Sequence, residues 1–260
     1  LTSHGRFFWQ SEMVEIDANA QFEQLAEFQP IFQADWFPTG LGRAHVTVKG
    51  PLENLSGRAH LQFRTIEIIG QQFDSVTIDL SNERSTIVLN ELLLLRDRYK
   101  AKAVGWYDTD SATFSGSFET GDFPITSSQS DSDAGIPMAA QLSMSLNMHG
   151  SIDDPNVNAS ARLTDAMWSD NRVGLIDLHL HTSGQTASAT AFLADINTFI
   201  KGTFDFDNEQ AFEVTAVTND ADVSTIFSDV EWLSGTVAGE VFACGSLQDL
   251  SATNLRVALS

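Results

Sequence analysis

Hydrophobic and polar positions alternate along most of the chain. In "QLSMSLNMHG", Leu142, Met144, Leu146 and Met148 fall on one side, and Ser143, Ser145, Asn147 and His149 on the other. A period of two puts successive side chains on opposite faces of a strand. The same alternation runs through "AHVTVKG" (Val46, Val48), "SVTIDLS" (Val76, Ile78, Leu80) and "VNASARL" (Val157, Ala159, Ala161, Leu163). It continues in "GTFDFDN" (Phe204, Phe206) and "NLRVALS" (Leu255, Val257, Leu259). Short polar stretches separate these runs: "SNERS", "DTDS", "SDNR", "TSGQ" and "DNEQ". Their Gly, Asn, Asp and Ser residues suit tight turns, so the pattern predicts an antiparallel meander. Two stretches follow another period. "DANAQFEQLAEF" predicts a short helix near Phe22–Phe28 with Asp17 or Asn19 as cap. "NDADVSTIFSDV" predicts a second near Val223–Val230 with Asp220 or Asp222 as cap. "TSSQSDSDAG", from Thr126 to Gly135, reads as a flexible loop.

One turn recurs three times: "GPLENLSGRA" from Gly50, "GSIDDPNVNA" from Gly150 and "GSLQDLSATN" from Gly245. Gly40 and Gly235 each stand ten residues ahead of a copy, and Ala140 takes that place in the middle one. In each frame a strand leads into Gly-x-[Leu/Ile]-x-[Asn/Asp] and a second strand leaves it. The glycines (Gly50, Gly150, Gly245) are expected to supply an unusual backbone angle. Asn54, Asp154 and Asp249 are expected to supply the hydrogen bond of the turn. Three matches point to an internal repeat. The expected organisation is the end of a preceding repeat with a short helix over residues 1–39, then a meander repeat over 40–139 with a loop at 126–135. A second repeat with a short helix covers 140–234, and a third begins over 235–260. The chain is expected to be a fragment of a longer protein.

The succession of helix, strand, Gly-x-Leu-x-[Asn/Asp]-[Pro/Leu] turn and strand resembles the C-terminal repeat region of TamB, among the AsmA-like proteins. More distantly it is similar to the bridge-like lipid-transfer proteins. The resemblance is carried by "FPTGLGRAHVTVKGPLENLSGRAHLQF" and "EWLSGTVAGEVFACGSLQDLSATNLRV". Proline ends the motif only at Pro155, with Leu55 and Leu250 in the other copies. The resemblance implies an all-β fold, a long curved antiparallel sheet forming a U-shaped open trough with short helices between repeats. It also implies a periplasmic location, with the full-length protein anchored in the inner membrane. The implied activity is carriage of phospholipid between inner and outer membranes, with a BamA-like outer-membrane barrel as a possible partner. Alternation alone fits a closed barrel or a two-sheet sandwich equally well.

Composition narrows the chemistry. Lys plus Arg total 14 against 35 Asp plus Glu, a formal net charge of −21. That field opposes nucleic-acid binding and adsorption to an acidic membrane surface. The single cysteine, Cys244, excludes an intrachain disulfide framework. No apolar run reaches the ~18 residues of a membrane-spanning helix; "LLLL" at Leu92–Leu95 is among the longest. "SDN" at Ser169–Asn171 has no accompanying S-x-x-K or K-T-G, and G-x-S-x-G, H-E-x-x-H and a P-loop are missing. "HLH" places His179 and His181 on one strand face with Asp177, about 7 Å apart per pair of residues. The polar side of a strand explains that trio without a metal. "DFDNEQ" lacks the Gly and the Glu of a calcium loop.

No catalytic residue, metal site or cofactor is therefore expected. The apolar rows are the candidate site: Val46, Val48, Val76, Ile78, Leu80, Leu142, Met144, Leu146, Met148, Leu163, Phe204, Phe206 and Val257. The first expectation is a lipid conduit whose groove takes acyl chains. The alternative is a non-enzymatic structural or adhesive β-module binding protein or glycan. A polysaccharide-active enzyme with paired carboxylates is a third possibility. A closed core would also explain the same rows.

Overall fold

The computed structural model describes residues 2–8, 13–22, 39–51, 54–68, 71–126, 138–168, 171–206, 211–222, 235–246 and 253–259. Among them the protein is all-β, an antiparallel sheet of sixteen strands lying in sequence order and not closed. Two compact units divide the chain, Leu1–Gly121 and Asp122–Ser260.

The first unit begins with β1 (Thr2–Phe8), β2 (Met13–Phe22), β3 (Thr39–Pro51) and β4 (Ser56–Ile68). It continues with β5 (Gln71–Glu83), β6 (Thr86–Arg96), β7 (Tyr99–Asp108) and the start of β8 (Thr113–Thr126). The second unit takes the end of β8, then β9 (Met138–Ser151), β10 (Pro155–Trp168), β11 (Asn171–Ser183) and β12 (Thr186–Leu193). β13 (Thr198–Asp205), β14 (Ala211–Asp222), β15 (Thr236–Ser246) and β16 (Asn254–Leu259) complete it.

The repeat is visible in the backbone as an offset of 100 residues. β5 and β11 begin at Gln71 and Asn171 and end at Glu83 and Ser183. The residues with positive φ follow the same offset: Gly50 (130°) and Gly150 (126°), Thr65 (49°) and Asp165 (52°), Arg84 (55°) and Gly184 (58°), Asp97 (53°) and Asn197 (44°). Thr65 and Asp165 each sit where the ladder slips by a bulge. Such backbone needs local compensation, and bulges set the twist and end of a pairing. Both units therefore place these four irregular residues at the same points of the meander.

At the recurring turn, a Cβ added to Gly50 would lie 2.6 Å from the Asn54 carbonyl oxygen, and one on Gly150 would lie 2.4 Å from that of Asp154. Only glycine fits this approach. The turn bond comes from backbone N–H groups and not from the Asn or Asp side chains. The Asn54 N–H donates to Pro51 O (2.8 Å), and the Asp154 N–H to Ser151 O (3.3 Å) and Ser151 Oγ (3.0 Å). Gly245 departs from the expectation. It is not among the positive-φ residues, although like Gly50 and Gly150 it is paired in a ladder, with Phe212 on β14. Asp249 lies outside the described residues.

The two helical expectations need correction where they can be compared. Asp17, Asn19 and Phe22 belong to β2, and Asp220 and Asp222 to β14. β2 alternates Val14, Ile16, Ala18 and Ala20 with Glu15, Asp17, Asn19 and Gln21, and it pairs with β3 along its whole length. That long ladder prevails over local cap chemistry. Residues 23–28 and 223–230 lie outside the described residues, as do residues 127–135 of the loop expected at 126–135, whose Thr126 ends β8, and the turn residues 169–170 and 207–210. Asn171 and Arg172, expected in a turn, open β11 instead.

Candidate functional site

Strand register decides which side chains share a face, because directly paired residues point the same way. In the second unit one lateral row runs Met144, Ala161, Leu178, Ala191, Ile200, Ala216, Val241, Val257 across eight strands. The neighbouring row runs Leu146, Ala159, Leu180, Ala189, Gly202, Val214, Ala243, Leu255. Leu142 and Leu163 pair on one side of these rows, and Met148 and Val157 on the other. Phe204 pairs with Ala187 and Phe212 on the same face. Phe206 lies just past β13 and packs edge-on against Phe204, ring centroids 4.6 Å apart.

In the first unit Val46, Ala59, Leu80 and Leu89 form one row, and Ala44, Leu61, Ile78 and Leu92 the next. Val76 pairs with Phe63 and Leu94, and Val48 with Gly57. The structure thus brings the expected residues together as two sets, one per unit. Sequence reasoning missed Leu61, Phe63, Leu92 and Leu94 in the first unit, and Leu178, Ala189, Ala191 and Ile200 in the second. The signal was present in "IDLHLH", where Ile176, Leu178 and Leu180 alternate with the polar residues that drew attention. It was weak in "TASATAFL", whose Ala, Ser and Thr have similar polarity.

Little covers these faces. Among the described residues the buried hydrophobics are Ile66, Val76, Ala101, Phe123, Ala140, Leu163, Ala166 and Ala221, and no polar residue is buried. Two small clusters result. Ile66 and Val76 gather Phe63, Phe73, Ile78, Leu92 and Leu94; Ala140, Leu163 and Ala166 gather Ile125, Leu142, Val173, Ile176 and Leu178. Most of the apolar row remains half-buried, and Leu255 and Val257 on β16 are 64% and 57% exposed. A second layer would bury such rows almost fully. In the second unit the face contains a groove of ≈ 430 Å³, its floor including Ala159, Ala161, Ala189, Ala191 and Gly202. Small side chains there leave space that the neighbouring Leu178 and Ile200 border.

The opposite face is polar and hydrogen-bonded. Arg162 grips Asp177 through Nε (2.7 Å) and Nη2 (3.2 Å). That hydrogen bond lowers the Asp177 carboxyl below its usual range and raises the Arg162 guanidinium. His181 donates from Nδ1 to Asn158 Oδ1 at 2.7 Å. Of the Asp177, His179, His181 trio, Asp177 is thus held by Arg162, and the described residues contain no group of three or more His, Cys, Asp or Glu that could hold a metal ion. Phe192 and Phe199 pair across β12 and β13 on this polar face, 38% and 46% exposed. No helix among the described residues is long and apolar enough to cross a membrane.

Compared with known proteins, the chain matches no family model, no curated protein and no solved structure.

Proposed function

We propose that this chain is a segment of a cell-envelope lipid conduit, in which phospholipid acyl chains lie against the apolar face while headgroups stay in water. The observation that carries the reading is the lateral row Met144 to Val257, apolar across eight strands and nowhere fully buried, backed by a hydrogen-bonded polar face. Hydrocarbon transfer onto such a surface contributes roughly 0.8 kcal/mol per buried CH₂ and asks for no particular side chain. Rows crossing the strands offer a path along the sheet, each step about 4.8 Å. Carriage between inner and outer membranes, a periplasmic setting and a BamA-like barrel partner for the full-length protein belong to the same proposal and rest on the resemblance of the repeat. The exposed Phe192–Phe199 pair favours a second reading, a non-enzymatic module that contacts protein or glycan through its polar face.

A photo-crosslinking residue at Met144 or Leu146 in the full-length protein is expected to capture lipid in the native envelope. The same probe at Ser145, on the other face, is expected to capture none. Equal yields at both positions would sink the proposal. Met144→Glu tests the row by energetics, since a charge in an apolar setting costs on the order of several kcal/mol unless water relieves it. The expected variant is folded, as judged by its thermal melt, but defective in supporting outer-membrane integrity. An unfolded variant would point to a closed core.

A further inference from the structure

On the polar face of the first unit, four residues stand side by side on four adjacent strands. Asn19 pairs with His45, His45 with His60, and His60 with Asp79. Asn19 Nδ2 donates to Asp17 Oδ1 at 3.3 Å, which fixes the amide so that its oxygen faces His45. His45 Nδ1 lies 2.9 Å from that oxygen and must carry the proton, since an amide oxygen only accepts. The lone pair of a neutral His45 is then on Nε2. His60 is turned the same way relative to its own flank, with Nδ1 3.8 Å from Asp79 Oδ2.

Imidazole geometry gives this a consequence. Nδ1 and Nε2 occupy opposite edges of the ring. With each Nδ1 aimed outward, to β2 for His45 and to β5 for His60, the Cδ2–Nε2 edges face inward, toward each other. Half of each side chain is exposed, 48% for His45 and 50% for His60. Both line a groove of ≈ 610 Å³ with Asn19, Gln21, Arg43 and Gln62. Asp17 Oδ1, 3.8 Å from His45 Nδ1, and Asp79 are two carboxylates that offset the Arg43 charge.

We propose that His45 and His60 form a two-histidine site for a borderline transition-metal ion such as Zn²⁺, bound through Nε2 of both rings. Histidine ligands characteristically donate the other ring N–H to an oxygen acceptor, which sets tautomer and orientation; Asn19 occupies that place for His45, and Asp79 lies on that side of His60. The protein supplies two donors, and water or an incoming ligand completes the usual four. The second unit lacks the pair, because Ser145 and Ser160 stand where His45 and His60 do. The site is separate from the apolar face and independent of the lipid reading.

The test is titration of the purified chain with ZnCl₂ in excess Mg²⁺, which occupies nonspecific acidic positions without engaging imidazole. Competition with a chromophoric indicator reads affinity and stoichiometry. One Zn²⁺ per chain is expected, with His45→Ala and His60→Ala each weakening it at least about tenfold, since even outer-shell losses at such sites cost 10–100-fold. The double change His179→Ala, His181→Ala should leave the affinity unchanged. Circular dichroism checks that each variant folds, and His45→Gln replaces His45→Ala if the latter does not. Imidazole resonances of His45 and His60 should shift together on adding Zn²⁺. No binding above the Mg²⁺ background, or binding that survives either single substitution, overturns the proposal.

Discussion

The two units share a set of irregular backbone positions but set different side chains between them. Positions 50, 65, 84 and 97 and their counterparts at 150, 165, 184 and 197 share positive φ, so turns and bulges recur. The apolar face between them is filled differently. The first unit carries Leu61, Leu89 and Leu92 where the second carries Ala161, Ala189 and Ala191. The second unit instead places its bulk on β9, with Met144, Leu146 and Met148 against Ala44, Val46 and Val48. The ≈ 430 Å³ groove lies over those alanines. Backbone frame and groove shape are thus specified by separate residues. Turn and bulge positions tolerate few side chains, whereas face positions need only be apolar, so bulk can move between strands without changing the ladder.

The frame and the core give the largest expected effects, of similar size. Gly150→Val puts a Cβ 2.4 Å from the Asp154 oxygen at φ 126°, and Gly50→Val meets Asn54 in the same way. Each is expected to cost on the order of 3 kcal/mol in denaturant unfolding. Gly121→Ala, with open space around it, should change stability by no more than about 0.5 kcal/mol. A large cost at only one of the two repeat glycines would break the equivalence of the frames.

The core is the second of these. Ile66 and Ala166 occupy matching places, each 2% exposed. Ile66→Ala gives the first unit the second unit's residue and should cost about 2–5 kcal/mol, measured as a shift in denaturation midpoint. A negligible cost would mean that this cluster does not hold the unit together.

A smaller effect tests the groove. Ala161→Leu restores the first unit's bulk and should alter stability by about 1 kcal/mol or less. Lipid capture by a probe at Leu146 should nevertheless fall. Unchanged capture would separate the groove from the lipid.

Acid provides the smallest effect. Asp108 accepts hydrogen bonds from the Ser111 N–H (2.8 Å) and Oγ (2.9 Å), from Ser85 (3.1 Å) and from Thr86 (3.2 Å). The backbone bond from Ser111 contributes most, and together they hold its carboxyl at about 2. A depressed carboxyl stabilises the fold above its ordinary value of about 3.9, and that contribution disappears as pH falls toward 2. Asp108→Asn should flatten the stability profile between those limits. In the second unit Asp177, lowered by Arg162, acts with the same sign, whereas Gln62 and Thr77 stand at the matching places in the first. Asp177→Asn should therefore flatten acid unfolding further, and an unaltered profile in both variants would remove this distinction.

Local sequence determined much of this protein. Alternation identified strands because a strand's side-chain period is two, whatever its neighbours are. The repeated Gly-x-Leu-x-[Asn/Asp] stretch located two turns, because close approach of a backbone oxygen leaves room only for glycine at Gly50 and Gly150. Three matters were left to tertiary structure. Asp17 and Asn19 looked like helix caps until pairing with β3 drew β2 into the ladder, a long-range interaction that no local window contains. Leu178, Ala189, Ala191 and Ile200 join the face of Met144 only through the register of successive strands, each a choice between two faces. His45 and His60 are fifteen residues apart in sequence and directly opposed in space. Their meeting depends on where the β3–β4 turn begins, because a one-residue slip would send one ring to the other face of the sheet.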